Sequence, residues 1–214
     1  MDLIKLFIIG ITTMTKIAVI DTGMNTSSPT SRYMCESGHK SFNGDTIEDT
    51  NGHGTKVSTI LAMETDIHPI CIVVVKYNSS GVKNWLTDAL DYVTNLDVRY
   101  VNISLSGYGS NEEEYQALHR LIDSGKIVSV AAGNDDMNFN KNCNRFPACH
   151  RIRNKKFWVV GATDNVGNIS EYSNKGSIIN AWANGDYEDS HGTSYSSARW
   201  TANLVKNRVG QPRR

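Results

Sequence analysis

Apolar residues fall along the chain in two rhythms. The runs "KIAVID" (16–21), "ICIVVVKY" (70–77), "YVNISL" (100–105), "KIVSVAA" (126–132) and "FWVVGAT" (157–163) have the length and β-branching of buried strands. Between them, "HGTKVSTILAM" from His53 sets Val57, Ile60 and Leu61 at helical spacing. "NWLTDALDYVTNL" does the same with Trp85, Leu86, Leu90 and Val93. A third helix, "EEEYQALHRLIDSG", closes on Gly125, and a fourth, "SYSSARWTANLVKNR", ends before Gly210. The acidic stretch Asn111–Glu114 suits the first turn of the third helix, where negative charge meets the positive end of the dipole. Strands apolar on both faces, alternating with amphipathic helices, predict an α/β fold: one mostly parallel sheet with helices on both faces. Reactive groups in such a sheet belong at the carboxyl ends of its strands.

Length and charge narrow this picture. A chain of 214 residues suits a single domain with a substantial core. The expected bounds are 16–208, with a segment 1–15 before them and a polar tail, 209–214, after. Lys plus Arg equal Asp plus Glu at 22 each, so neither nucleic acid nor an anionic membrane is an expected partner. The apolar stretch Leu6–Ile11 is too short to span a bilayer, and no stable membrane insertion is expected. Segment 1–15 has three readings: an ordered element, a signal-like stretch, or residues upstream of a start at Met14. Asp2 and Lys5 cancel and no small-x-small cleavage site stands out, which weakens the signal. The expected location is cytoplasmic, with secretion as the alternative.

Cys71 lies inside an apolar strand run and reads as a buried core thiol. Cys143 and Cys149 sit close together in a loop and would form a disulfide in an exported protein. With His150 they supply three ligands for zinc, but a structural site needs four, and no fourth is evident.

The chemistry begins at Asp21, in "DTG" at the end of the first strand. Aspartic protease chemistry needs two such carboxylates sharing a proton. The triplet occurs once here, in a chain rich in helix, so that class is excluded. Farther on come "NGHGTKV", "VNISLSG", "AAGND", "VVGATD" and "HGTSYSSA". Each is weak alone. In this order, on these strands and helix starts, they resemble the subtilisin-like serine proteases from about Lys16 to Val205.

That resemblance implies a serine endopeptidase acting on peptides or proteins through an acyl-enzyme, with limited processing as its expected use and no cofactor or catalytic metal. Ser194 would be the nucleophile, His53 its general base, and Asp21 the carboxylate that fixes the imidazole tautomer. Gly54 and Gly192 would let backbone pack beside these groups. Asn134 matches the family's oxyanion asparagine, with the N–H of Ser194 as second donor. Substrate would pair as an added strand with Ser104, Leu105, Ser106 and Gly107. Ala131, Ala132 and Gly133 would form the other wall of the first specificity pocket. Ser106 stands where the family has glycine, which would narrow the pocket. Arg145 aligns with its floor, and a buried guanidinium there would favour acidic or polar side chains; the alternative is that Arg145 points to solvent.

Other departures matter. The family's proline near Ala198 is missing, which would loosen the fourth helix. No inhibitory pro-domain is expected before Asp21. "AMETDIHPI" is too short for an oxygen-rich calcium loop, so Asp135, Asp136 and Asp164 read as turn residues and activity is expected without added metal. His191 reads as a loop residue, not a second base. Trp85, Trp158, Trp182 and Trp200 read as packing residues, and His39, His68 and His119 as surface or boundary groups. A catalytically silent peptide-binding homologue is the competing function class, and an esterase is a minor variant of the enzyme.

Overall fold

The computed structural model describes residues 14–42, 46–65, 70–77, 85–109 and 111–207. Expectations for residues 1–13, for His68, for the side chain of Trp85 and for the tail from 208 lie outside the described residues. In chain order the elements begin with β1 (Thr15–Asp21), β2 (Lys40–Ser41), α1 (His53–Glu64), β3 (Ile70–Lys76), α2 (Trp85–Thr94) and β4 (Tyr100–Ile103). Then come β5 (Gly107–Tyr108), α3 (Glu112–Asp123), β6 (Ile127–Ala131), β7 (Arg145–Phe146) and β8 (Phe157–Thr163). The last are β9 (Ala181–Asn184), β10 (Asp186–Tyr187), β11 (Ser190–His191) and α4 (Thr193–Lys206).

Seven strands form one sheet in the order β2-β3-β1-β4-β6-β8-β9, and every pairing in it is parallel. The two-residue strands β5 with β7, and β10 with β11, form separate antiparallel ribbons. Side chains alternate across the sheet, which sorts the core into two layers. Ile17, Val19, Ile72, Val74 and Tyr100 pack with Val57 and Leu61 of α1 and Ala198 and Ala202 of α4. Ala18, Ile20, Val73, Val101 and Val128 pack with Leu90 and Val93 of α2 and Leu118 and Leu121 of α3. A single domain with helices on both faces of a parallel sheet is thus what the apolar rhythm predicts.

The chain leaves β1 toward β3 on one side and later returns on the other side of β1 as β4. Beyond the carboxyl ends of these two strands the connections diverge, opening the crevice where α/β sheets place ligands. Asp21 ends β1, and Ser104 follows β4 directly.

Several local expectations hold. Asn111 caps α3, its side-chain oxygen accepting the Glu114 N–H at 2.6 Å, with Glu112–Glu114 in the first turn. Trp158 and Trp200 pack ring to ring at 5.3 Å between centroids, and Trp182 packs under Gly161. His39 is a boundary residue with both ring nitrogens bonded, to the Cys35 carbonyl and the Val74 N–H. The loosening expected of the fourth helix without its proline does not appear as a break: α4 is continuous, with Ala198 fully buried in its first half.

One expectation is corrected. Cys71 is buried in the core as predicted, but it is not a thiol: it forms a disulfide with Cys35. Cys35 lies beyond the short 3-10 turn Pro29–Tyr33, whose exit runs beside β3, with the Cys35 N–H on the Ile72 carbonyl at 3.0 Å. Nothing in the local pattern at either cysteine signals a partner so far along the chain. Cys143 and Cys149 are bonded to each other, which removes both sulfurs from any zinc site.

Candidate active site

β1 delivers Asp21 to the crevice almost fully buried, at 1% exposure. Its Oδ1 accepts the Thr22 N–H at 2.7 Å and lies 2.7 Å from His53 Nδ1; its Oδ2 has no hydrogen bond among the described residues. His53 is the first residue of α1. The start of that helix is held by Asp49, whose carboxylate accepts from the N–H groups of Asn51, Gly52 and Thr55 and from the hydroxyls of Thr22 and Thr55. These bonds outweigh the effect of burial, which favours the neutral acid, and hold the Asp49 carboxyl below the usual carboxylate range. Asp49 thereby ties the loop after β1 to the helix that carries His53.

The same junction explains Gly54. A Cβ there would stand 2.4 Å from the Gly23 carbonyl oxygen, so the two loops can approach only backbone to backbone. The approach sets the Asp21–His53 bond. Burial alone would lower the pKa of His53, but the Asp21 hydrogen bond and charge, helped by the charge of Asp49, raise it above the ordinary histidine value.

Ser194 is the second residue of α4, and Tyr195 beside it lays its ring 6.1 Å from the His53 imidazole. The Ser194 hydroxyl donates to the Ser104 carbonyl at 3.1 Å, and the Ser104 hydroxyl donates to the Ser194 carbonyl at 3.0 Å. In this rotamer the Ser194 hydroxyl is turned to Ser104 and makes no bond to His53, so the expected three-member chain is closed at Asp21–His53 and open at Ser194. Beneath this pair lies fully buried Asn102, which donates to Ser104 Oγ at 2.8 Å and accepts from the hydroxyls of Ser197 and Thr201. It ties β4 to α4.

Asn134 follows β6. Its side-chain oxygen accepts from both the N–H and the hydroxyl of Thr193 at 2.9 Å, which orients the amide NH2 away from that residue. A Cβ on Gly192 would stand 3.2 Å from this NH2 group, so a larger residue there would crowd it.

Ser194, Asn134 and Thr193 share the wall of a cleft of about 230 Å³. Of the expected substrate residues, Leu105, Ser106, Ala131, Gly133 and Arg145 line it. Ser104, Gly107 and Ala132 do not. Ser104 is buried between β4 and α4, Gly107 turns away to pair with Phe146, and Ala132 is buried with its N–H on the Val160 carbonyl. Arg145 does not point to solvent: its side chain is 12% exposed and ion-paired with Asp135.

Asp135 and Asn174 were not legible as site residues. Asn174, fully buried, accepts from the N–H groups of Asp135 and Met137 and donates to the Ala132 carbonyl at 2.8 Å. It thereby latches the whole loop that carries Asn134. Gly133, at φ +98°, is where this loop turns, and a Cβ there would stand 2.5 Å from the Asn174 amide nitrogen. His191 lies on β11 against Tyr172, at 4.6 Å between ring centroids. Among the described residues no group of three or more His, Cys, Asp or Glu side chains is placed to hold a metal, and no helix is long and apolar enough to cross a membrane.

Known proteins resemble this chain in sequence and fold. The major intracellular serine protease of Bacillus subtilis (strain 168) is 29% identical over 189 residues, covering 80% of this chain and 58% of that protein. The extracellular serine proteinase of Thermus sp. (strain Rt41A) is 29% identical over 201 residues, covering 89% of this chain and 45% of that protein. The chain thus spans about half the length of these two relatives. A solved cold-adapted subtilisin-like serine proteinase superposes with a TM-score of 0.74 at 26% identity, covering 92% of this chain and 77% of that one. The family model for the subtilase family, Peptidase_S8, matches residues 12–209, and the chain belongs to that family.

Proposed function

We propose that this chain is a serine endopeptidase in which Asp21, His53 and Ser194 act as the triad, within a peptidase domain spanning 16–208. The observation that carries the reading is the buried 2.7 Å Asp21–His53 link beside a serine at the start of α4, in a cleft shared with Asn134. With Nδ1 committed to Asp21, the Nε2 of His53 is the nitrogen left to take a proton. On substrate binding the Ser194 hydroxyl turns from the Ser104 carbonyl to Nε2. Its oxygen then attacks the scissile carbonyl carbon as His53 takes the proton.

The tetrahedral oxygen receives two donors. One is the amide NH2 of Asn134, oriented by the two Thr193 bonds to its oxygen. The other is the Ser194 N–H, which in the first turn of α4 has no acceptor within the helix. Collapse breaks the C–N bond, and His53 passes its proton to the leaving amine. Water then enters and attacks the ester carbonyl as His53 takes its proton; the C–O bond to Ser194 breaks, and His53 returns the proton to the Ser194 oxygen.

The competing reading, a silent peptide-binding module, draws on the Ser194 hydroxyl being held by Ser104. Incubation with a denatured protein substrate separates the two readings. The enzyme produces fragments that Ser194→Ala does not; a native protein that yields no fragments above the Ser194→Ala background favours the module.

Both cysteine pairs are bonded and no cysteine is free among the described residues, which favours an oxidising compartment and so the secreted alternative over the cytoplasmic one. Intact mass of protein purified from its source without reductant tests this. Loss of four hydrogens relative to the reduced chain supports export, and a fully reduced mass counts against it.

A further inference from the structure

We propose that Asp135, through its ion pair with Arg145, makes this cleft select an uncharged, hydrogen-bonding side chain at the residue whose carbonyl is attacked. The proposal deepens the reading of Ser194 as nucleophile and rests on it. A guanidinium facing a cleft suggests selection of acidic side chains as well as polar ones, as the sequence alone does. The structure changes that expectation, because the protein supplies its own carboxylate. One terminal nitrogen of Arg145 is paired with Asp135 Oδ1 and also donates to the Tyr108 hydroxyl at 2.5 Å. The guanidinium carbon lies 3.5 Å from the centre of the Tyr108 ring. Carboxylate, phenol and ring face together offset the charge of the cation, while its buried Nε has no hydrogen bond among the described residues.

The Asp135 side chain stays 27% exposed, and among the described residues its Oδ2 has only a 3.4 Å contact with the Asn174 amide. A substrate carboxylate would approach Arg145 and Asp135 at similar range, losing hydration without meeting net opposite charge. A lysine or arginine side chain meets the same balance with the signs exchanged. A large apolar side chain would strip water from the exposed part of Asp135 and leave nothing in its place. An amide or hydroxyl replaces that water, donating to Asp135. The Ser106 hydroxyl adds a donor and acceptor on the facing wall, 3.1 Å from where a Cβ on Gly133 would stand. It narrows the mouth.

The test is a set of peptides identical except for Gln, Ser, Glu, Lys or Phe before the scissile bond. Cleavage is read as kcat/KM, and binding of the same peptides to Ser194→Ala by calorimetry. Native protein is expected to favour Gln or Ser over Glu, Lys and Phe by roughly tenfold, the size of one charge-assisted hydrogen bond gained or lost. Asp135→Asn should raise Glu relative to Gln by roughly tenfold, and Arg145→Gln should raise Lys by a similar factor. Opposite gains from the two variants cannot come from simple misfolding. A native preference for Glu, Lys or Phe, or an unchanged ranking in both variants, overturns the proposal. If native protein cleaves nothing but Ser194→Ala ranks the peptides as stated, the selectivity stands and the proposed catalysis fails.

Discussion

Asn174 touches no reacting atom in the proposed mechanism, yet its replacement by alanine should damage turnover through Asn134. Its amide accepts from Met137 N at 2.9 Å and Asp135 N at 3.2 Å, and donates to the Ala132 carbonyl at 2.8 Å. Alanine leaves the buried Ala132 carbonyl and the half-buried Met137 N–H unpaired. At about 1–3 kcal/mol each, the loop between β6 and β7 loses about 2–6 kcal/mol of anchoring. A whole domain is stable by about 5–15 kcal/mol, so the fold survives while the loop is released. The ceiling on the rate effect is loss of the oxyanion amide itself, which costs about 10²–10³ in turnover in a subtilisin. We therefore expect kcat to fall by about 10–100-fold with KM changed by less than about threefold.

The decisive assay is a double-mutant cycle on a peptide substrate, with circular dichroism to confirm folding. If Asn174 acts through Asn134, then adding Asn174→Ala to Asn134→Ala costs less than about threefold more. Losses that multiply, or an unchanged kcat in Asn174→Ala, would refute the coupling. Asn174→Asp serves if alanine unfolds the chain. It keeps both accepted bonds but turns acceptor oxygens toward the Ala132 carbonyl and Asp135, so the same coupling should appear.

Three further outcomes are expected. Asp21→Ala removes the bond and charge that raise the His53 pKa and leaves burial the largest influence, so His53 should titrate below 6.5 in the variant and above it in the native protein, read by proton NMR; the reverse order would contradict the assigned partner. Because that pKa is raised in the folded state, the stability His53 gains from Asp21 is full below 6.5 and fades as pH rises through the higher value. The Cys35–Cys71 bridge closes a span of 36 residues and the Cys143–Cys149 bridge one of 6, so loop entropy assigns them about 4 and about 2 kcal/mol, and thermal melts of Cys35→Ser and Cys143→Ser should fall in that order. Activity should persist in excess EDTA, and a large loss restored by calcium would show a cation site that the sequence reading denies.

The sheet was legible because its strands are buried on both faces: β1, β3, β6 and β8 are runs of branched apolar residues with no competing helical period. β9, "AWAN", is an edge strand half open to solvent and carries no such signal. The two-residue ribbons are set by tertiary pairing, so periodicity cannot see them. At the site, Asp21, His53, Asn134 and Ser194 stood out because each sits in a short motif with glycine beside it. Asn174, Asn102 and Asp135 act through bonds to residues distant in the chain, from Ala132 to Thr201, and an isolated polar residue announces no such partner. Ser104, expected on the substrate strand, also exchanges hydrogen bonds with Ser194, because β4 carries it beside the start of α4.

In the proposed mechanism the Ser194 hydroxyl, now turned to Ser104, becomes a nucleophile once His53 takes its proton. Reaction of native protein with a fluorophosphonate, followed by peptide mapping in a mass spectrometer, tests it most directly. One phosphonyl group is expected on Ser194 in the native protein, with much slower labelling in His53→Ala and none in Ser194→Ala. A native protein whose Ser194 stays unlabelled, or equal labelling of native protein and Ser194→Ala, would contradict it.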